Sequence, residues 1–250
     1  MQAEEGVPGG ARLRERSVAL RGVVAIDGPS GTGKSTVARR LAAGLGARYL
    51  DTGAMYRAAA LGVLNAGVDP EETDAVVDVV ARCRIEVGTD PGAPTVRLDG
   101  ADVAADVRGP AATTAVSPVS AVPQVRRLLV EQQQRIIADA VAAGSGIVVE
   151  GRDIGEVVAP DAGLKVFLTA SAGARAERRA AQDGVDDVSA VRRAVERRDA
   201  FDTTRAASPL RVAPGAVEVD STDLELPDVV ARLVDLVAER GLTGDGRGPG

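Results

Sequence analysis

Eight consecutive residues, Gly28-Pro29-Ser30-Gly31-Thr32-Gly33-Lys34-Ser35, carry the types and spacing of a phosphate-cradling loop. Glycines let successive backbone N–H groups turn inward around phosphate oxygens, where a Cβ would stand in the way. A helix starting at the loop adds the partial positive charge of its N-terminus. Lys34 supplies a compact cation for the outer phosphates of a nucleoside triphosphate. The Ser35 hydroxyl suits Mg²⁺, a hard cation that keeps most of its waters. The lysine carries a second argument. Of 30 basic residues only Lys34 and Lys165 are lysine, so arginine serves almost everywhere a cation is wanted. A planar guanidinium cannot replace a flexible ammonium point charge inside such a loop.

The loop needs a strand before it and a helix after it. Val23–Asp27 is an apolar run ending at the loop, and Val37, Leu41 and Leu45 follow at helical spacing. Further strands are predicted at Arg48–Asp51, Ile147–Gly151, Lys165–Ala170 and Ala216–Asp220. Most are nearly continuous apolar runs, as in strands buried on both faces of a parallel sheet. Helices are predicted over Ser35–Leu45, Gln124–Ala143 and Asp228–Arg240, with Gly144 and Gly241 as C-terminal breakers. The fold class is α/β, a three-layer arrangement around a five-stranded parallel sheet. Residues 85–107 break the alternation. Ile85–Val87, Thr95–Leu98 and Ala101–Val103, with an Asp99-Gly100 turn, read as a small antiparallel sheet inserted at the rim. Residues 1–21 and 242–250 read as loose tails, leaving one domain over 22–241.

Composition excludes several chemistries. At 45% hydrophobic and 26% charged over 250 residues, the chain can bury a full core. It has no histidine and one cysteine, Cys83, which rules out an intrachain disulfide, histidine-ligated zinc and any histidine base. A net charge of −6 argues against a general nucleic-acid partner. No apolar stretch reaches the length of a membrane span and no secretory signal is evident, so a cytoplasmic protein without a membrane partner is expected.

Three more constellations follow the predicted strands. Asp51-Thr52-Gly53-Ala54-Met55-Tyr56-Arg57 offers a helix cap and an arginine one turn in. Glu150-Gly151-Arg152-Asp153 places an arginine and carboxylates at the edge where ligands of parallel sheets bind. Arg175, Arg178 and Arg179 share a helix face, as do Arg198, Asp202 and Arg205. A cationic, mobile flap beside a triphosphate loop can clamp a transferring phosphoryl group and exclude water. A phosphate acceptor is already ionised at neutral pH and needs no base. A histidine-free, arginine-rich site therefore favours one over a hydroxyl, although Asp153 or Glu150 could serve as a base.

The four blocks Gly28–Thr36, Asp51–Arg57, Glu150–Gly155 and Arg205-Ala206-Ala207-Ser208-Pro209-Leu210, in this order, resemble the bacterial cytidylate kinase family from about Val23 to Arg240. The resemblance implies transfer of the ATP γ-phosphate to CMP or dCMP. It implies a core, a CMP-binding insertion near 56–126 and a helical lid near 171–205. The loop from Gly28 to Thr36 would hold ATP, with Ser35 on Mg²⁺. Ser117, Arg126 and Asp153 would read cytosine. Arg57, Arg152 and Arg205 would hold the CMP phosphate, with Thr52 and Tyr56 in the same acceptor site. Arg198 and Asp202 would lie at the ribose. Lys34, Arg152, Arg175, Arg179 and Arg205 would be the catalytic cations, with Arg175 and Arg179 closing over ATP. The expected partners are small molecules and the expected state a monomer. Phe201, Thr203 and Thr204 depart from the more polar residues of the family's lid block.

Three other readings compete. One is a kinase of another small acceptor, and another is a non-catalytic nucleotide-binding module. The third, a GTPase, lacks its Asn-Lys-x-Asp signature, since Leu164 precedes Lys165.

Overall fold

The computed structural model describes residues 18–205 and 207–245. The expected tail segments 1–17 and 246–250, and Ala206 of the fourth sequence block, lie outside the described residues. In chain order the strands are β1 Val18–Leu20, β2 Val23–Asp27, β3 Arg48–Asp51, β4 Ile85–Val87, β5 Val96–Leu98, β6 Ala101–Asp102, β7 Ile147–Gly151, β8 Leu164–Thr169, β9 Val217–Asp220 and β10 Thr243–Asp245. The α-helices are α1 Lys34–Gly44, α2 Thr52–Asn65, α3 Thr73–Arg82, α4 Pro110–Ala121, α5 Pro123–Ala142, α6 Ala172–Asp183, α7 Val188–Thr204 and α8 Leu226–Glu239.

Five strands form one parallel sheet in the order β3-β7-β2-β8-β9. Alternation along each strand fills both faces. Ala25, Leu50, Ile147 and Val149 pack beneath α2, α3, α4 and α5. Val24, Ile26, Tyr49, Val148 and Val166 point the other way, beneath α1 and α8. Both faces are covered, which is why these strands read as continuous apolar runs. Because the strands are parallel, their carboxyl ends share one edge. That edge receives the glycine loop from β2, Arg152 and Asp153 from β7, and Asp51 to Arg57 from β3 and α2.

The smaller sheet β4-β5-β6 is antiparallel, and its Ile85, Val96 and Leu98 complete the core over α2. Its turn has Asp99 at φ 52 and Gly100 at φ 86, both left-handed, as a two-residue hairpin of matching twist requires. The two chain ends differ from expectation. Val18–Leu20 pairs antiparallel with Thr243–Asp245, and Leu20 is buried against Leu45 and its neighbours. Part of each segment read as tail thus closes the floor of the sheet. Helix starts lie one or two residues earlier than predicted, because Lys34, Pro123 and Leu226 already adopt helical geometry.

Candidate active site

The glycine loop is fixed from two sides. Gly28 has φ 148, and a Cβ there would stand 2.1 Å from the Leu168 carbonyl oxygen of β8, so only glycine fits. At Gly31, φ 81, a Cβ would meet the Arg175 carbonyl oxygen of α6 at 2.9 Å. Helix α1 then starts with Gly33 as its cap, with no side chain on its terminal N–H groups and no acidic residue in its first turn. Those donors and the positive end of the helix are left for an anion. Lys34 is buried and its Nζ donates to the Pro29 carbonyl at 2.7 Å. Burial, with Arg152 nearby, pushes its pKa well below the ordinary lysine value, while Glu150 and Asp27 pull the other way.

Behind the loop, Asp27 ends β2 and accepts the backbone N–H groups of Ile154 and Gly155, each at 2.8 Å. These bonds seat a short π-helical turn, Ile154–Val158, directly after Arg152 and Asp153. Burial pushes the Asp27 pKa up to about 6 despite them. Glu150 is also buried. Burial and the neighbouring Asp51 raise its pKa, while Lys34, the Tyr49 phenol and the Ser35 side chain act to lower it.

The acceptor side is walled by arginines from two sources, Arg57, Arg126 and Arg152 at the sheet edge and the helices packed on it, and Arg198 and Arg205 on α7 and at its end. Arg126 of α5 forms a buried ion pair with Asp153, donates to the Ser120 carbonyl at 3.1 Å, and lies 5.2 Å above the Tyr56 ring. Each Nη carries a second hydrogen for a ligand. Arg57 is held at 3.2 Å by Asp51, which also caps α2 through the Ala54 N–H at 2.8 Å. Arg152 donates to Asp202 at 2.9 Å and to the Gly28 carbonyl at 2.8 Å. Arg205 donates to the Ser208 carbonyl at 2.7 Å and lies 3.6 Å from Asp202. Burial alone would raise the Asp202 pKa, but Arg152 and its neighbours hold it below the usual value. Burial and Arg152 push Arg198 down to about 10.

These groups surround a cavity of about 1020 Å³. Of the residues expected to form the site, Ser30 to Thr36, Thr52, Tyr56, Arg57, Arg126, Arg152, Asp153, Arg179, Arg198, Asp202 and Arg205 line it. Gly28 and Pro29 shape the loop from outside the lining. Ser117 does not line the cavity; its carbonyl accepts from Ser120, one turn on, which does. Arg175, expected to close over ATP, braces the loop from behind. It donates to the Ser30 carbonyl at 3.1 Å and the Ala170 carbonyl at 3.0 Å, and pairs with Asp199 of α7. Arg178 takes the place on the wall beside Arg179. Sequence reasoning also missed Asp27 and Asp199. Asp27 had a signal, an acid closing an apolar strand just before the loop. Asp199 had none, because helix-face spacing does not reveal what lies opposite.

Four buried polar atoms find no hydrogen-bond partner among the described residues at this wall: Arg57 Nε, Arg198 Nε, Arg205 Nη2 and Tyr56 Oη. Buried donors without partners are costly, and the four residues that carry them all line this one cavity. A divalent cation also fits. The described residues contain no cluster of three or more His, Cys, Asp or Glu able to cage one, but Ser35 and Glu150 sit side by side as hard oxygen donors. One or two protein oxygens completed by phosphates and water is the Mg²⁺ pattern.

Sheet, loop and arginine-walled cavity define a phosphate-binding-loop α/β protein of the nucleotide-kinase class. A family model described as cytidylate kinase matches residues 24–239. A cytidylate kinase of Rhodococcus opacus (strain B4) is 55% identical over 226 residues, covering 89% of this chain and 97% of the relative. One of Nocardia farcinica (strain IFM 10152) is 55% identical over 226 residues, covering 89% and 96%. Among solved structures, a shikimate kinase from Acinetobacter baumannii aligns at 12% identity and TM-score 0.44, over 89% of this chain and 96% of that one. The chain belongs to the cytidylate kinase family.

Proposed function

We infer that this enzyme transfers the γ-phosphoryl group of ATP to the phosphate of CMP or dCMP, giving ADP and CDP or dCDP. The carrying observation is the convergence of Arg57, Arg152, Arg198 and Arg205 on the cavity that the glycine loop enters. An acceptor phosphate neutralises these cations and is delivered opposite the triphosphate. Its oxygen forms the new bond to the γ-phosphorus as the bond to the β–γ bridging oxygen breaks, and ADP leaves with that electron pair. No proton need be removed from the acceptor, which suits a chain without histidine. Lys34, Arg152, Arg179 and Arg205 neutralise the charge spread over the transferring oxygens. Ser35 and Glu150 would hold Mg²⁺, which supplies further charge neutralisation when bound.

Cytosine is read at the other end of the cavity by Arg126 and Asp153. The Asp153 carboxylate accepts from the N4 amino group, and Arg126 donates to N3 and O2. Ser117 supports this wall from one turn behind Ser120. Uracil presents an oxygen at position 4, so UMP leaves a carboxylate facing a lone pair. Steady-state assays with CMP, dCMP, UMP and AMP test the reading. CMP and dCMP lead UMP by about a hundredfold in kcat/KM; equal turnover of UMP overturns the cytosine assignment. The same reading makes the protein a cytoplasmic monomer acting only on small molecules. Among the described residues, no helix is long and apolar enough to cross a membrane.

A further inference from the structure

We propose that Tyr49 is a positioning residue for phosphoryl transfer, its phenol holding the Glu150 carboxylate in the one orientation that presents its free oxygen to Ser35 and the nucleotide's Mg²⁺. The proposal rests on the kinase reading above and adds to it a residue that does not line the cavity.

Register places the pair. In the parallel ladder Tyr49 of β3 lies opposite Val148 of β7, and Asp51 lies opposite Glu150. Glu150 is two residues beyond Val148 and so shares its face, the face turned toward α1. Tyr49 therefore reaches Glu150 diagonally across the ladder, and its Oη donates to Glu150 Oε1 at 2.5 Å. Tyr49 is 2% exposed and lies outside the cavity lining, while Glu150, 4% exposed, meets solvent only at the cavity it lines.

The carboxylate needs such a partner. A glutamate has one more rotatable bond than an aspartate, and its terminal torsion is loosely defined. Here its backbone is pinned, with the Thr52 hydroxyl donating to the Glu150 carbonyl at 2.7 Å. The carboxylate itself is pulled from several sides. Lys34 and Ser35 of α1 attract it, and Asp51 on the adjacent strand repels it. Without the phenol it would collapse onto Lys34, removing both groups from the nucleotide. With one oxygen committed to Tyr49, the other is left beside Ser35. The ring is anchored in the apolar layer beneath α1 and α8, so the constraint comes from the rigid sheet and not from the lid.

The test is Tyr49→Phe, which removes one hydroxyl and keeps the ring. Calorimetry measures ADP binding to the full chain with and without Mg²⁺, and steady-state assays give kcat and KM. The Mg²⁺-dependent gain in ADP affinity falls about tenfold, as for a lost charge-assisted hydrogen bond, and kcat falls by a similar factor. ADP affinity without Mg²⁺ and the KM for CMP stay within about twofold. A purely structural role lowers the melting temperature and leaves the Mg²⁺ gain unchanged, and that result overturns the proposal. A double-mutant cycle with Glu150→Gln is the second arm, read on the same binding signal. Tyr49→Phe adds nothing once Glu150 is neutral; independent, multiplying effects overturn the proposal. The binding signal needs no acceptor. A parent protein that gains ADP affinity from Mg²⁺ yet does not phosphorylate CMP would sink the kinase reading and leave the Tyr49 result standing.

Discussion

The two ends of the cavity are built differently. The acceptor end rests on β7, α2 and α5, which contribute Val149, Met55, Val125 and Leu129 to one continuous core. Its Arg126–Asp153 pair, proposed above to read the base, is buried and tied to α4 through the Ser120 carbonyl. The donor end is covered by α6 and α7. Helix α7 buries only Val195 and Asp202 along its length. What ties these helices to the loop is polar: Arg175 on the Ser30 carbonyl, and Asp199 accepting the Ser30 N–H at 3.3 Å. A polar tether on a thinly packed pair of helices can open and close at modest cost, whereas a buried pair in a close-packed core cannot. On the proposed function, selectivity would belong to the fixed end, and admission of ATP and exclusion of water to the movable one.

The strongest way to break this division is Asp153→Asn. It leaves Arg126 buried without its counter-charge, so the KM for CMP rises about a hundredfold, discrimination against UMP collapses, and stability falls by about 3–5 kcal/mol. Kinetics and urea melts read both. An unchanged KM would move base recognition elsewhere.

Asp27 sharpens the same point at lower amplitude, because it seats the backbone carrying Asp153. Its native pKa of about 6 lies above the ordinary carboxylate value of 3.8, so the folded chain binds this proton more tightly than the unfolded one. That stabilisation is complete below about pH 4 and is lost as the pH rises through 6. The stability difference between the parent and Asp27→Asn should shrink by up to about 3 kcal/mol from pH 4 to pH 7. A difference that is flat or widens with pH contradicts the assignment.

The smallest effect belongs to the lid. Asp199 places a carboxylate on an N–H of the glycine loop, in competition with phosphate. Asp199→Asn should lower the KM for ATP by about threefold and leave the KM for CMP unchanged. A matching change in the CMP value would erase the distinction between the two ends.

The sheet was legible because strands buried on both faces write themselves as apolar runs, and the Asp99-Gly100 turn because so few residues accept its backbone angles. Most of the site was legible for the same local reason: residues that end parallel strands must meet at one edge. What escaped was decided across the fold. Spacing placed Arg175 and Arg179 on one helix face but did not show that the loop carbonyl faces the first and the cavity the second. Ser117 and Ser120 share a helix face at a spacing of three, and only packing decides which reaches the wall. The pairing of β1 with β10 joins segments more than 200 residues apart, each too short for any periodic signal.

That terminal pairing has a practical corollary. Leu20 and Thr243 meet beneath the sheet, at the pole opposite the nucleotide mouth. A short linker joining the strands there, with a new opening cut at the exposed hairpin tip near Gly100, which does not line the cavity, would yield a circular permutant with its cavity wall uncut. Reporter domains fused at the same pole would likewise flank the enzyme side by side without shadowing its entrance.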